Sequence, residues 1–335
     1  MNTLSEQLCS IRLLRVRVTL RAKDPLQLPI YKGSTLRGGF GIAFKEAVCV
    51  VEHRDCSRCL LRSRCAFPYV FDTPVPEDAT RMRKYTAAPH PFVFLPPLEE
   101  KTLYRPGETL AFDLTLIGKG SDFLPYFIYT FERLGERRGL GKGRGRFAVE
   151  SVTWLSPQGE EALIYDGNTK TLRNTFRSLT VQDLLLCTSH LPLSPLHFAH
   201  SPLHLLTLHF VTPARLVHAE TLTPEPDFHA LIRALLRRVS NLAYFHCQTE
   251  LDLDFRGLIA AAEQVKTANG DLRWYDWERY SARQDARMKL GGFIGKVTYQ
   301  GDLQPFLPLL RLGEAVHVGK GTSFGLGKYE MEYEE

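Results

Sequence analysis

Four cysteines stand close together early in the chain and could bind a metal ion. Cys56 and Cys59 form a Cys-x2-Cys knuckle, and Cys49 and Cys65 flank it. Four thiolates suit tetrahedral Zn²⁺ at a closed structural site, and an iron–sulfur cluster is a second chemical possibility. Because the loop is short and polar and has little core of its own, we expect a structural zinc, with unmetallated cysteines as the alternative.

Two glycine-rich segments alternate glycine with basic residues and could bind phosphate. Glycine allows positive φ and close approach of the backbone, and exposed N–H groups beside cations can hold an anion. Neither segment has the residue order of a P-loop or a dinucleotide-binding loop, and tight helix-to-strand connections are the alternative. The expected contact residues are Gly139, Gly141, Lys142, Gly143, Arg144, Gly145 and Arg146 in the first segment, and Gly319, Lys320, Gly321, Gly325, Gly327 and Lys328 in the second.

These segments belong to an internal repeat. Arg-Leu-Gly-Glu at Arg133–Glu136 recurs 178 residues later at Arg311–Glu314, and Gly-Lys-Gly follows five residues beyond each Glu. Apolar and polar residues alternate over residues 110–117, which predicts a strand, and the helical spacing of residues 122–134 predicts a helix. The second half repeats this order with a strand over 292–299 and a helix over 303–312.

The beginning of each half also matches. A strand over 11–21, with Arg15, Arg17 and Arg21 on one face, precedes a helix over 34–48, and the second half begins with a strand over 203–211 and a helix over 228–244. With one more strand inside the insertion, each half becomes the split βαβ, ferredoxin-like unit. We predict an α+β fold of two tandem ferredoxin-like (RRM-like) domains: residues 1–160 with a four-cysteine zinc-binding insertion over about 49–90, a linker over 161–202, and residues 203–335.

The composition is that of a soluble globular protein. Apolar residues make up 44% of the 335 residues and charged residues 24%, which argues against wholesale disorder. No run of 18 apolar residues predicts a membrane span, and arginines interrupt the apolar stretch near the N-terminus, so we expect a cytoplasmic protein without a membrane partner. The net charge of +5 weakly favours a polyanionic partner.

A glycine-rich loop between the last helix and the last strand of a ferredoxin-like unit is the hallmark of the RAMP superfamily of CRISPR-associated proteins. In this feature the chain resembles that superfamily. Three more stretches are similar to that superfamily: Leu36–Gly39, Phe210–Pro213, and Trp274–Gln284 continuing into Leu290–Gly292. Within it, the chain resembles the endoribonucleases that cut precursor CRISPR RNA. The resemblance implies metal-independent cleavage, in which a ribose 2′-OH attacks the adjacent phosphate and leaves a 2′,3′-cyclic phosphate.

This reaction needs a base with a pKa near 7, a cation and a proton donor. The resemblance points to the surroundings of the first helix, where His53 is the expected base, Tyr31 a donor or stacking residue, Lys45 a phosphate contact and Arg37 an RNA contact. His90 and His317 are reserve bases. The alternative is a non-catalytic member that holds guide RNA in an effector complex. Expected partners are repeat RNA and other CRISPR effector subunits, with the chain a monomer or homodimer.

Aromatic and basic residues also alternate between residues 273 and 287. Aromatic faces stack on unpaired bases while arginine binds phosphate, so we expect Arg279 and Arg283 to contact RNA. Core packing of an insertion is an equally weighted alternative.

Overall fold

The chain has a mixed α/β fold whose two halves repeat one order of elements. The computed structural model describes residues 3–51, 55–174, 176–186, 203–218, 221–276, 278–281, 286–289 and 291–332. The first half contains α1 (Leu4–Leu8), β1 (Leu13–Ala22), β2 (Leu26–Gln27), α2 (Gly33–Val48), β3 (Phe92–Leu95), β4 (Leu103–Tyr104), β5 (Thr109–Ile117), α3 (Leu124–Arg133), β6 (Phe147–Leu155), β7 (Glu161–Asp166), β8 (Thr171–Leu172) and α4 (Val181–Leu185).

The second half follows in the chain. It contains β9 (Leu205–Ala214), β10 (Leu216–His218), β11 (Thr221–Thr223), α5 (Phe228–Cys247), α6 (Phe255–Ala262), β12 (Lys266–Tyr275), β13 (Glu278–Ser281), β14 (Ala286–Lys289), β15 (Gly292–Gln300), α7 (Leu307–Val316) and β16 (Tyr329–Glu332). Its connection from α5 to β12 is shorter than the one from α2 to β3 in the first half. None of the described helices is both long enough and apolar enough to span a membrane.

The two main sheets share one strand arrangement. In the first sheet the order β3-β5-β1-β6 is antiparallel throughout, with α2 and α3 as the connecting helices. In the second sheet β12-β15-β9-β16 takes the same order, with α5 and α7 in the corresponding places. Each half thus runs β-α-β-β-α-β, the element order of the split βαβ unit. Strands β7 and β8, inside the predicted linker, extend the first sheet beyond β6.

Phenylalanine packing fixes α2 and α3 on the first sheet. Phe40 of α2 and Phe127 of α3 are fully buried and stack with ring centroids 4.5 Å apart. Phe94 of β3 meets Phe40 edge-on at 5.3 Å. The predicted arginine face of β1 lies on the other side of the sheet, where Arg17 pairs with Asp113. The middle of α2 is therefore packed against α3 and the first sheet.

The halves pack against each other through their helices. Helix α7 contacts α1 and α4 of the first half. The Nε2 of His246, on α5, lies 2.7 Å from the carbonyl oxygen of Pro89, and its Nδ1 lies 3.1 Å from the Tyr69 hydroxyl. The contact between the halves therefore includes buried polar groups, which hold the two units in one arrangement.

Candidate RNA interface and catalytic junction

The first glycine loop, residues 139–146, is a closed turn that lies against β2. Leu140 and Gly145 exchange backbone hydrogen bonds of 2.9 and 3.1 Å, and the Lys142 N–H donates to the carbonyl oxygen of Gln27 at 2.8 Å. Gly141 has a φ of +76°, and a Cβ there would lie 2.2 Å from that Gln27 oxygen. Glycine is therefore required where the loop approaches β2.

The loop offers cations rather than a backbone nest. The Lys142 and Arg144 side chains are exposed at the tip. Arg146 forms an ion pair with Asp24 at 2.9 Å, which lowers the pKa of that carboxyl. The expectation of exposed N–H groups is not met at six residues, because each donates within the protein: Gly139, Leu140, Lys142, Arg144, Gly145 and Arg146.

The second glycine loop, residues 319–327, differs from the prediction because most of it is buried. Gly325 has a φ of +89°, and a Cβ there would lie 2.5 Å from the carbonyl oxygen of Phe94 in the first half. Gly327 is also buried, and the Lys328 ammonium donates to the carbonyl oxygen of Glu314 at 3.2 Å. Lys320 is exposed, between the half-buried Gly319 and Gly321. The tip of this loop packs on the first half instead of facing solvent.

Arg37, near the start of α2, joins this loop to the first half. Its guanidinium carbon lies 4.4 Å from the ring centroids of both Phe71 and Phe324. Its Nε donates to the Ser323 hydroxyl at 3.0 Å, and its Nη2 lies 2.9 Å from His90 Nε2. Since arginine can only donate, His90 Nε2 accepts this bond and carries no proton.

His90 and Tyr31 complete the candidate junction, the name used below for Tyr31, Arg37, His90, Ser323 and Phe324. Burial, and next the charge of Arg37, lowers the pKa of His90 to about 3, so the ring is neutral at neutral pH. The Tyr31 hydroxyl donates to the Phe324 carbonyl oxygen at 2.9 Å, and burial raises its pKa, so it stays protonated. The Arg37 guanidinium and the Tyr31 phenol thus both contact Phe324, and the neutral imidazole of His90 contacts that guanidinium.

Comparisons with known proteins agree with this architecture. Residues 208–329 match the family of the CRISPR-associated endoribonuclease Cas6, and residues 11–176 match a family described as an N-terminal domain. Residues 208–329 are thus similar to a CRISPR-associated RAMP-like endoribonuclease family. The resemblance seen in the sequence is therefore confirmed.

Solved structures of Cas6 proteins share the fold over nearly the whole chain. A partial Cas6-RT-Cas1–Cas2 complex matches with a TM-score of 0.59 and 15% identity over 97% of this chain and 46% of that chain. A Cas6 product complex gives a TM-score of 0.53 and 15% identity over 95% and 98% of the two chains. A Thermus thermophilus Cas6 gives 0.52 and 16% identity over 96% and 98%.

A curated relative matches about half of the chain. This uncharacterized protein of Archaeoglobus fulgidus is 27% identical over 166 residues, which are 49% of this chain and 53% of the relative. The match thus spans about half the length of that relative.

The cysteines lie at the opposite end of α2 from the candidate junction. All four predicted ligands, Cys49, Cys56, Cys59 and Cys65, line one cavity of about 20 Å³. The six cysteines of the described chain are free thiols. No three His, Cys, Asp or Glu side chains among the described residues are grouped closely enough to hold a metal ion. The donor chemistry suits zinc, whereas coordination would require the thiols to move inward.

Lys45 belongs to this cysteine end and not to the candidate junction. It lines the same cavity, with its ammonium 5.3 Å from the Phe67 ring centroid. It lies twelve residues after Gly33 on α2, a rise of about 18 Å along the helix. Lys45 and Tyr31 therefore do not share one phosphate in this structure.

Three other residues predicted for the site are described only in part or not at all. His53 and Arg283 lie outside the described residues, and of Arg279 only its place in β13 is described. The reserve base His317 is buried, and its Nδ1 lies 3.2 Å from the Leu326 carbonyl oxygen. Sequence reasoning did not single out Phe71, which contacts Arg37 only through tertiary packing.

Proposed function

We propose that this chain binds CRISPR repeat RNA and cuts precursor CRISPR RNA as a metal-independent endoribonuclease, leaving a 2′,3′-cyclic phosphate and a 5′-OH. The observation that carries the proposal is the Arg37–His90 pair beside Tyr31, because these groups supply the cation, base and donor that the reaction needs. The family match and the solved Cas6 product complexes support the same activity.

The roles follow from the protonation states. His90 Nε2 takes the proton of the 2′-OH, the 2′ oxygen attacks phosphorus, and Arg37 stabilises the charged phosphorane. Tyr31 gives its proton to the departing 5′ oxygen. A phosphate bound to Arg37 would draw the guanidinium away from His90 Nε2. It would also compensate the positive charge of that guanidinium. Since that charge is the second cause of the lowered pKa, RNA binding should raise the pKa of His90 toward the range a base needs.

Histidine variants test the assignment. We expect His90→Ala to abolish cleavage in excess EDTA while RNA binding persists, measured by cyclic-phosphate product and by filter binding. His53→Ala tests the base expected from the sequence, and the exposed His204→Ala is the matched control. Wild-type cleavage by His90→Ala would refute the role of His90, and loss of cleavage in His53→Ala alone would return the role to His53.

A non-catalytic, RNA-holding subunit is the second candidate. It is favoured by one observation, since both ring nitrogens of His90 already face protein groups, Arg37 at 2.9 Å and Thr73 at 2.8 Å. Tight binding of repeat RNA by the wild type without any product in EDTA would support this function. Cyclic-phosphate product would support the enzyme.

RNA binding itself is proposed for the exposed cations of the glycine loops. Lys142 and Arg144 protrude from the first loop and Lys320 from the second, and such cations bind phosphate without regard to sequence. Besides repeat RNA, other CRISPR proteins are proposed partners, because one structural match is a complex with Cas1 and Cas2. Cytoplasmic location and a monomer or homodimer stay predictions.

A structural zinc is proposed for the four cysteines. Cys49, Cys56, Cys59 and Cys65 would hold it around their common cavity, and the ion would cross-link a loop that has little core. Metal analysis of the purified protein separates the alternatives: one zinc in a colourless preparation supports the proposal, and iron with visible absorbance supports an iron–sulfur cluster.

A further inference from the structure

A second cavity lies on the first half, between α3 and the sheet extension formed by β7 and β8. Its volume of about 380 Å³ is in the range of small-molecule sites. The second sheet ends at β16 in the described chain and has no counterpart of β7 and β8. The cavity is therefore not part of the unit that the two halves share. Its charged and aromatic lining consists of Tyr129, Glu132, Arg133, Glu136, Tyr165 and Lys170.

A buried carboxylate forms the floor of the cavity. Glu132 is only 9% exposed. The Tyr165 hydroxyl donates to its Oε1 at 2.9 Å, and the Lys170 ammonium donates to its Oε2 at 2.5 Å. Because both oxygens are hydrogen-bonded, the floor is fixed, and Lys170 keeps further N–H donors beside the cavity.

An aromatic ring stands at the mouth of the cavity. Tyr129 is 50% exposed. Arg133 Nη1 donates to the Tyr129 hydroxyl at 2.9 Å, and the guanidinium carbon lies 5.6 Å from the ring centroid. The side chain of Glu136 is exposed nearby and adds an acceptor. The site thus combines a surface for stacking with donors and an acceptor around it.

The helical segment that lines the cavity leads into the first glycine loop. Helix α3 passes into one π-helical turn, Leu134–Arg138, which ends directly at Gly139. Glu136 therefore lies three residues before the loop, a rise of about 5 Å in helical geometry. Glu136, at one end of the cavity lining, therefore stands just before the loop that carries the exposed Lys142 and Arg144.

We propose that this cavity receives one unpaired base of the RNA that crosses the first glycine loop, an inference that rests on the proposed RNA binding. A nucleobase is planar and carries donors and acceptors on its edge, so it matches both the Tyr129 ring and the surrounding polar groups. The phosphates on either side of that base would stay with the loop cations.

A double-mutant cycle between the protein and the RNA tests this proposal. Repeat RNAs, each lacking one base at a successive position, are titrated against the wild type and Tyr129→Ala. We expect one position at which base removal weakens wild-type binding about tenfold (about 1.4 kcal/mol) and leaves binding to Tyr129→Ala unchanged.

Two variants control the experiment. Tyr126→Ala removes a ring of similar exposure, 48%, on the same helix but outside the cavity, and should behave as wild type. Tyr129→Phe retains the ring and should retain most of the coupling. If base removal affects wild type and Tyr129→Ala equally at every position, the cavity does not hold a base, although RNA binding stands. If the wild type binds no repeat RNA, the proposed function fails and this inference falls with it.

Discussion

Acid should weaken the contact between the halves through His246. This side chain is 2% exposed and bonds to the Pro89 carbonyl oxygen and the Tyr69 hydroxyl. Burial lowers its pKa to about 4, against a smaller opposing effect of the Pro89 bond and with a further lowering by Arg238. The difference from the ordinary 6.5, at 1.36 kcal/mol for each pH unit, corresponds to about 3 kcal/mol of unfolding free energy.

The sign of the effect follows from the direction of the pKa. Above pH 6.5 the ring is neutral in the folded and unfolded chain, so its full contribution to stability is present. As the pH falls from 6.5 to about 4, the unfolded chain binds a proton that the folded chain does not. The free energy of unfolding should therefore decrease through this range and level off below it for this residue.

Urea unfolding of the wild type and His246→Gln measures the effect. Carboxyl groups titrate in both proteins and cancel when the two pH profiles are subtracted. We expect the free energy of unfolding of the wild type to fall by about 3 kcal/mol more than that of the variant between neutral pH and about pH 4. Parallel profiles would refute the reasoning, whatever the absolute stability of the variant.

Three further changes have expected outcomes. Replacing Lys142 and Arg144 by alanine should weaken RNA binding and flatten its salt dependence, by about 0.7–0.9 in log–log slope for each lost phosphate contact; titrations at several salt concentrations measure this, and an unchanged slope would count against the loop. Cys56→Ser should lower the unfolding temperature and release bound zinc, and a fully metallated variant contradicts the zinc site. Gly325→Ala would place a Cβ 2.5 Å from a backbone oxygen and should lower the free energy of unfolding by about 1–3 kcal/mol more than Gly143→Ala does. Gly143 has a similar φ but open space around it. Equal losses of stability in thermal unfolding would contradict this packing.

The order of strands and helices could be predicted because it depends on local patterns. Alternation over residues 109–117 and helical spacing over 228–247 are visible in the sequence, and the repeat relates the two halves. The expected bounds differ by a few residues. Helix α7 begins at Leu307 rather than 303, after a 3₁₀ turn at Gln304–Phe306.

The candidate site could be predicted only in part because its contacts join distant segments. The two glycine loops have similar spacing, yet only the second carries Phe324, which packs on Arg37 of the other half. Arg37 and His90 lie 53 residues apart in the chain, and no local pattern relates them. The predicted pair of equivalent phosphate loops is therefore, in the structure, one exposed loop and one packed loop.

The packed second glycine loop also bears on how the chain could be divided. Since Phe324 and Gly325 fit against α2 and β3 of the first half, either half expressed by itself would present this apolar surface to water and should aggregate. Co-expressed as two polypeptides broken within residues 187–202, the halves should reassemble and co-purify as a split protein.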